Sequence, residues 1–215
     1  MDFQKYNMGF EKMYGGNVPQ EGRHQNDYYP TPPVATYALC RYDDVPKNIW
    51  EPAAGRGWIS QQLERQGKNV YSSDLYAYPD PLIKNIVTGT DFLATDQMPE
   101  GYLAIITNPP YRNNMAQKFI EHSIELGAQY IAMLCRLTFM ESQTRLPLWQ
   151  KHPPQRVFVF SDRVNVDEEY FDNKQLGGMI AFAWYVWDYR QYTAPNTILH
   201  WMNIKQMYQD WRNEF

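Results

Sequence analysis

Apolar positions along this chain fall into short unbroken runs separated by stretches with helical spacing. Ile49-Trp50 closes one run, Val70-Tyr71 lies in a second, and Leu103-Ala104-Ile105-Ile106-Thr107 and residues 130–135 form two longer ones. Short apolar runs bounded by turn residues read as buried strands. Helices are predicted between them. One runs to about Tyr42, with Thr31 as its cap and Pro32 at its first position. Another covers 58–66. A third covers 114–126, where Met115, Phe119, Ile120 and Ile124 share a face and Gly127 is a C-terminal stop. A helix over about 140–150 follows, bent or divided by Pro147. Residues 157–160 and 180–187 read as two further strands, and 197–201 as an edge strand. Asn203 is expected to cap the last helix, with Gln206 completing a capping box and Ile204, Met207, Tyr208 and Trp211 forming its apolar stripe. Residues 76–81 are irregular. Residues 1–27 are polar, Gly-rich and without periodicity, so a flexible N-terminal tail is expected there.

Strands alternating with helices predict an α/β fold: a mostly parallel sheet with helices on both faces. The last two long strands have no helix between them and should be antiparallel neighbours near the C-terminal end. In such sheets ligands bind beyond the carboxyl ends of the parallel strands. Glu51, Asp74, Asp91 and Asn108 all lie at predicted strand ends, which argues for one shared site.

The chemistry at that site starts with Asn108-Pro109-Pro110-Tyr111. An amide oxygen, backbone carbonyls and an aromatic ring arrive together at the end of an apolar strand. That set suits a planar base with an exocyclic amino group: the ring stacks, and the oxygens accept from the amino hydrogens. Upstream, Glu51-Pro52-Ala53-Ala54-Gly55-Arg56-Gly57 reads as a strand end and a glycine turn that lets backbone approach a ligand. A Gly-x-Gly is weak evidence alone, and Ser60 stands where a dinucleotide fingerprint has its third glycine. Asp74, with Leu75, follows the second strand, about 20 residues past the turn, where a ribose diol is bound in such folds. Asp91 and Phe92 place an acid beside an aromatic, a pairing suited to an adenine ring. Taken singly, Asp74 and Asp91 are also ordinary turn residues.

The Glu51–Gly57 motif followed by Asn108-Pro109-Pro110-Tyr111 resembles the S-adenosylmethionine-dependent adenine-specific DNA methyltransferases. The likeness is to small phage and prophage enzymes with gamma-like motif order, and it spans residues 28–190. Tyr29-Pro30-Thr31-Pro32-Pro33 resembles the segment that contacts the methionine end of the cofactor, although a helix cap and a packing aromatic fit Thr31 and Tyr29 equally. The resemblance implies the Rossmann-like class I methyltransferase fold and methyl transfer to an adenine amino group in a flipped-out base. It implies S-adenosylmethionine as cofactor, S-adenosylhomocysteine as product and no metal. By it, Glu51, Pro52, Ala53, Gly55 and Gly57 wrap the methionine and ribose, Asp74 and Leu75 bind the ribose, and Asp91 and Phe92 hold the adenine. Tyr111 and Arg112 face the substrate. Tyr170 or Phe171 supplies a second aromatic beside the target, with a solvated acidic loop as the other reading of that segment. Arg112, Arg136, Arg145, Lys151, Arg156, Arg163 and Lys174 are candidate phosphate contacts or plain surface charges.

Composition narrows this picture little. The 215-residue chain carries a net charge of −4, so nucleic-acid binding would need a local basic face. Aromatics make up 16% of residues, enough for a core and some to spare for base stacking. No apolar run is long enough for a membrane span, and the N-terminal residues lack the apolar stretch of a signal peptide. The two cysteines, Cys40 and Cys135, suit neither a metal site nor a disulfide framework, which points to a cytoplasmic protein. The expected organisation is the tail over 1–27 and one catalytic domain over 28–215, without a separate target-recognition domain, so low or short-site specificity is expected. Three other readings stay open: RNA adenine methylation, glutamine methylation of a release factor, and a non-catalytic S-adenosylmethionine-binding protein. Enzymes acting on release factors usually carry an Asp-led glycine motif where this chain has Glu51. Cytosine amino methylation typically uses Ser at position 108.

Overall fold

A computed structural model of the chain describes residues 28–165, 177–178, 180–190 and 196–215. The expected tail, and Tyr170, Phe171 and Lys174, lie outside the described residues. Helix α1 (Pro33–Tyr42) precedes β1 (Asn48–Glu51), α2 (Trp58–Arg65), β2 (Asn69–Asp74), β3 (Ile86–Thr88) and β4 (Ala104–Thr107). Then come α3 (Met115–Glu125), β5 (Tyr130–Arg136), α4 (Leu146–Lys151), β6 (Arg156–Phe160), β7 (Phe182–Asp188), β8 (Ile198–Met202) and α5 (Ile204–Glu214). The strands form one eight-stranded sheet in the order β3-β2-β1-β4-β5-β7-β6-β8. Strand β7 runs antiparallel to both of its neighbours, β5 and β6. The other pairings, including β6 with β8 at the edge, are parallel.

Period-2 alternation sends each strand's side chains to two separate cores. Ala104 and Ile106 of β4, Tyr130, Ala132 and Leu134 of β5, and Trp184 and Val186 of β7 face one core, closed by α1, α2 and α5. Ile105, Ile131, Met133, Cys135, Tyr185 and Trp187 face the other, closed by α3 and α4. Strands buried on both faces explain why β4, β5 and β7 read as continuous apolar runs instead of alternating ones. The apolar stripe of α5 packs as its spacing predicts, with Ile204 buried and Met207, Tyr208 and Trp211 against the first core.

Three local readings change. Thr31 does not cap α1: the capping position is Pro32, no side chain caps the helix, and Pro33 begins it. Pro147 does not bend a helix over 140–150; it lies in the first turn of the short α4, where a missing N–H costs nothing, after two 3-10 turns at Leu137–Met140 and Gln143–Arg145. The α5 capping box is half made. Asn203 Oδ1 accepts from Gln206 N at 3.2 Å, but the Gln206 side chain turns forward to Asp210.

At the edge of the sheet where β5 begins, Arg156 bridges Asp43 (Nε to Oδ1, 3.0 Å) and Asp188 (Nη2 to Oδ2, 2.8 Å). Arg190 Nε reaches the other Asp188 oxygen at 2.8 Å, and Tyr130 donates to Asp43 at 2.8 Å. Burial alone would raise the Asp188 carboxyl, but the hydrogen bonds from Arg190 and Arg156 outweigh it and hold it down at about 2. A carboxylate held below its unfolded value stabilises the fold above that value and loses this as pH falls toward the folded one. The Asp188 contribution, roughly 1–2 kcal/mol, is therefore present at pH 5 and above and is lost between about pH 4 and 2. Urea unfolding of wild type and Asp188→Asn across that range checks it: the variant should be less stable at pH 6, and the gap should close at pH 2.

Candidate active site

Strands β1, β2 and β4 are parallel neighbours, so their last residues emerge on one edge of the sheet. Strand β1 ends in Glu51, which is 1% exposed. Its carboxylate accepts from Ser60 N at 2.8 Å and from the Ser60 hydroxyl, which lies 2.6 Å from Ser72 Oγ. Ser60 sits in the first turn of α2, whose backbone N–H groups have no partner within the helix. Glu51 supplies one from across the glycine turn. Burial pushes the Glu51 carboxyl well above its ordinary range, against the opposing pull of the Ser60 hydrogen bonds. The serine at the third-glycine position thus has a structural reason: its side chain is buried and bonded to that acid.

Strand β2 ends in Asp74, whose two oxygens accept from different backbone N–H groups, Gly55 N and Tyr76 N, each at 2.8 Å. Each oxygen keeps capacity for a further donor. Burial raises this carboxyl too, and the backbone hydrogen bonds oppose the shift. Gly55 has φ +56°, and a Cβ there would lie 2.3 Å from the Tyr28 ring. Tyr28 in turn packs 4.7 Å from the ring of Tyr78. Gly57 has φ +94°, with Ile83 Cγ1 only 2.7 Å from where its Cβ would be. The segment after β2 is tied down over the turn by Leu82 N to Arg56 O at 2.8 Å and Arg56 Nε to Asp80 O at 3.0 Å.

Asp91 Oδ1 accepts from Leu93 N at 3.1 Å and caps the 3-10 turn Phe92–Ala94. Phe92 is 2% exposed, its ring 5.1 Å from Trp50 and 4.7 Å from Phe119. It belongs chiefly to the core and only touches the site. Beyond β4, Asn108 Nδ2 donates to Tyr29 O at 2.9 Å and to Thr31 Oγ1 at 3.1 Å. Asn108 Oδ1 accepts from the Tyr111 hydroxyl, which also lies 2.9 Å from Leu134 O. The half-buried Tyr111 ring packs beside Tyr29 and Phe182, with the Arg136 guanidinium 5.4 Å from its centroid.

These elements enclose a cleft of about 310 Å³. The N-terminal segment contributes Tyr29 and Thr31; the glycine turn contributes Glu51, Pro52, Ala53 and Gly55. Asp74, Leu75, Asp91 and Phe92 line it from the ends of the next two strands, and Asn108, Pro110 and Arg112 from beyond β4. Gly57, Pro109 and Tyr111 fall outside this lining. Sequence reasoning missed Tyr28, Trp58, Tyr76, Tyr78 and Met115, which also line the cleft. The signal for two of them was present: Tyr76 and Tyr78 follow Asp74 within an irregular segment whose aromatics have no periodic role. Among the described residues no three of His, Cys, Asp or Glu come together as a metal-ligand set, and no helix is long and apolar enough to cross a membrane.

No protein-family model matches the chain, and no curated protein matches it. Solved structures do. One is a protein assigned to the class I S-adenosylmethionine-dependent methyltransferases from Listeria monocytogenes. It aligns at TM-score 0.58 and 14% identity, over 98% of this chain and 76% of the other. A modification subunit assigned to a type I restriction enzyme from Vibrio vulnificus aligns at TM-score 0.56 and 11% identity, over 99% of this chain. A type I restriction-modification methyltransferase subunit from Streptococcus thermophilus aligns at TM-score 0.52 and 14% identity, over 87% of this chain. The chain spans 57% and 53% of the length of those two subunits. At these identities the likeness is one of fold, and the fold is the Rossmann-like one of class I methyltransferases.

Proposed function

We propose that this protein transfers the methyl group of S-adenosylmethionine to the exocyclic amino group of adenine in DNA. The observation that carries this reading is the Asn108 amide at the lip of the cleft. Both of its N–H groups are committed to Tyr29 O and Thr31 Oγ1, and its oxygen is left to a hydroxyl that an incoming donor can replace.

The cleft fits the cofactor on its own evidence. Its volume is at the small end of the range for small-molecule sites. Glu51, Asp74 and Asp91 line it, and their oxygens offer acceptors to a ligand carrying an ammonium and ribose hydroxyls. Glu51 to Gly57 would hold the methionine and ribose portion, Asp74 and Leu75 the ribose hydroxyls, and Asp91 with Phe92 the adenine. Bound there, the cofactor supplies a methyl group already activated by the positive sulfur. The difficulty that the protein must solve is the nucleophile, because the adenine amino lone pair is delocalised into the ring. Asn108 Oδ1 and the Pro109 carbonyl accept the two amino hydrogens, draw the nitrogen toward tetrahedral geometry and aim its lone pair. Positioning of this kind lowers a barrier by several kcal/mol, and the same oxygens stabilise the developing ammonium. In this reading Tyr111 borders the target base, and Arg112, which lines the cleft, is the candidate phosphate contact. The motif pair supports an adenine amino group over a cytosine or glutamine one, and the choice of DNA as the polymer draws on the fold shared with restriction-modification subunits.

The test is methyl transfer from labelled S-adenosylmethionine to duplex DNA, single-stranded DNA, RNA and a release factor, with modified nucleosides identified by mass spectrometry. Methyladenine in DNA is expected, and Asn108→Ala should lower its rate about a hundredfold or more. Label in RNA or protein overturns the substrate. Cofactor binding without transfer to any of the four overturns the enzymatic reading.

A second measurement tests the cofactor site. Gly55→Ala forces a side chain into a left-handed conformation and onto Tyr28, so it should cost about 1–3 kcal/mol of stability. Affinity for S-adenosylhomocysteine should fall about tenfold by calorimetry. Gly67→Ala has a comparable φ of +75° but no atom within 4 Å of the new methyl. It should lose stability and leave that affinity unchanged.

A further inference from the structure

Thr31 is 3% exposed and sits one residue before the capping position of α1, yet its hydroxyl makes no cap hydrogen bond. The hydroxyl oxygen instead accepts from Asn108 Nδ2 at 3.1 Å, beside the Tyr29 carbonyl at 2.9 Å. The Tyr29 carbonyl decides which way the amide points, and the Thr31 hydroxyl, which can donate or accept, adds a second bond in that orientation. A backbone carbonyl only accepts, so the amide nitrogen must face it and the amide oxygen must face away. The alternative rotamer, turned by 180°, would set oxygen against oxygen at Tyr29. It would also present an NH₂ to the amino hydrogens of a target base, donor against donor.

The segment that carries both acceptors is stiff and anchored. Pro30, Pro32 and Pro33 restrict its backbone. Tyr28, at its start, packs on the glycine turn, with its ring 2.3 Å from where a Gly55 Cβ would lie. Residues 28–31 therefore line the cleft, and two of them, Tyr29 and Thr31, also hold the amide at its lip.

We propose that Thr31, acting with the Tyr29 carbonyl, is a positioning residue that fixes the Asn108 amide with its oxygen turned toward the target nitrogen. This rests on the methyl-transfer reading of the site, and it assigns Thr31 a role through Asn108 in place of helix capping or a contact with the methionine end of the cofactor. Thr31→Val keeps the shape, removes the acceptor and leaves one Nδ2 hydrogen without a partner. Thr31→Ser restores the acceptor.

Two measurements on the full chain separate the possibilities. In steady-state kinetics, Thr31→Val should lower kcat about tenfold, the worth of one well-placed hydrogen bond. Its affinity for S-adenosylhomocysteine should stay within about twofold of wild type, and Thr31→Ser should recover most of kcat. Loss of affinity in parallel with kcat would make Thr31 a cofactor contact and overturn the proposal, as would an unchanged kcat. The second readout needs no activity. The Asn108 side-chain amide signals, identified by their disappearance in Asn108→Ala, should be protected from solvent exchange in the wild type and in Thr31→Ser. They should lose protection in Thr31→Val. Rapid exchange in the wild type overturns the proposal even if Thr31→Val does not fold. Wild-type protein that binds cofactor, transfers no methyl group and keeps a protected amide refutes the function and leaves the orientation of Asn108 standing.

Discussion

The site depends on a hydrogen-bonding demand created by the fold itself. A parallel strand that turns at once into a helix exposes backbone N–H groups at the turn and in the first helical turn, and here they are buried away from water. Two acids meet this demand. Glu51 takes Ser60 N in the helix, and Asp74 takes Gly55 N in the turn. Burial raises both carboxyls, so each is held against a solvation penalty and not placed there freely. Because the acceptors are side chains at strand ends, the glycine turn is locked to β1 and β2 together. The cleft wall has the geometry of the sheet and none of the freedom of a loop.

Sheet order then sets what meets this wall. Strand β1 lies between β2 and β4, with Ile49 opposite both Val70 and Ala104. The chain runs outward from β1 to β2 and β3, then crosses back to β4, which opens the crevice where ligands sit in such sheets. Glu51 and Asp74 fall on one side of it and Asn108 on the other. At the opposite end of the sheet, Arg156 and Arg190 bind Asp43 and Asp188 in a largely buried network. Charges that stabilise these strand ends are thus kept apart from the acids of the cleft.

Much of this was legible in the chain, for reasons that differ by residue. The central strands β4, β5 and β7 announced themselves because each is buried on both faces. The reversal of β7 followed from two nearby apolar runs with no helical pattern predicted between them. The acids, glycines and Asn108 were legible because turn chemistry and strand ends are local in sequence. What was not legible was pairing across distance. Thr31 and Pro32 carry a helix-start signature, and nothing local shows that the hydroxyl is claimed by a residue 77 positions away. Phe92 reads as an adenine-holding ring because its neighbour is an acid, and nothing local shows that Trp50 and Phe119 also pack against it. Tyr111 presents the same problem, since its ring and hydroxyl are both engaged by residues from other strands.

The arrangement at Tyr111 bears on how a target could enter at modest cost. Its hydroxyl carries one proton and has two acceptors within reach, Asn108 Oδ1 and Leu134 O. A buried hydroxyl stripped of every partner would cost about 1–3 kcal/mol. Here an amino hydrogen arriving at Asn108 Oδ1 displaces the hydroxyl from one acceptor and leaves it the other. Asn108 exchanges one donor for another, and its amide nitrogen stays bonded to the 28–31 segment throughout. Among the described hydrogen bonds of Asn108, the one exchanged is the one facing the base. The amide is thus held on the side where movement would be harmful and released on the side where chemistry would occur.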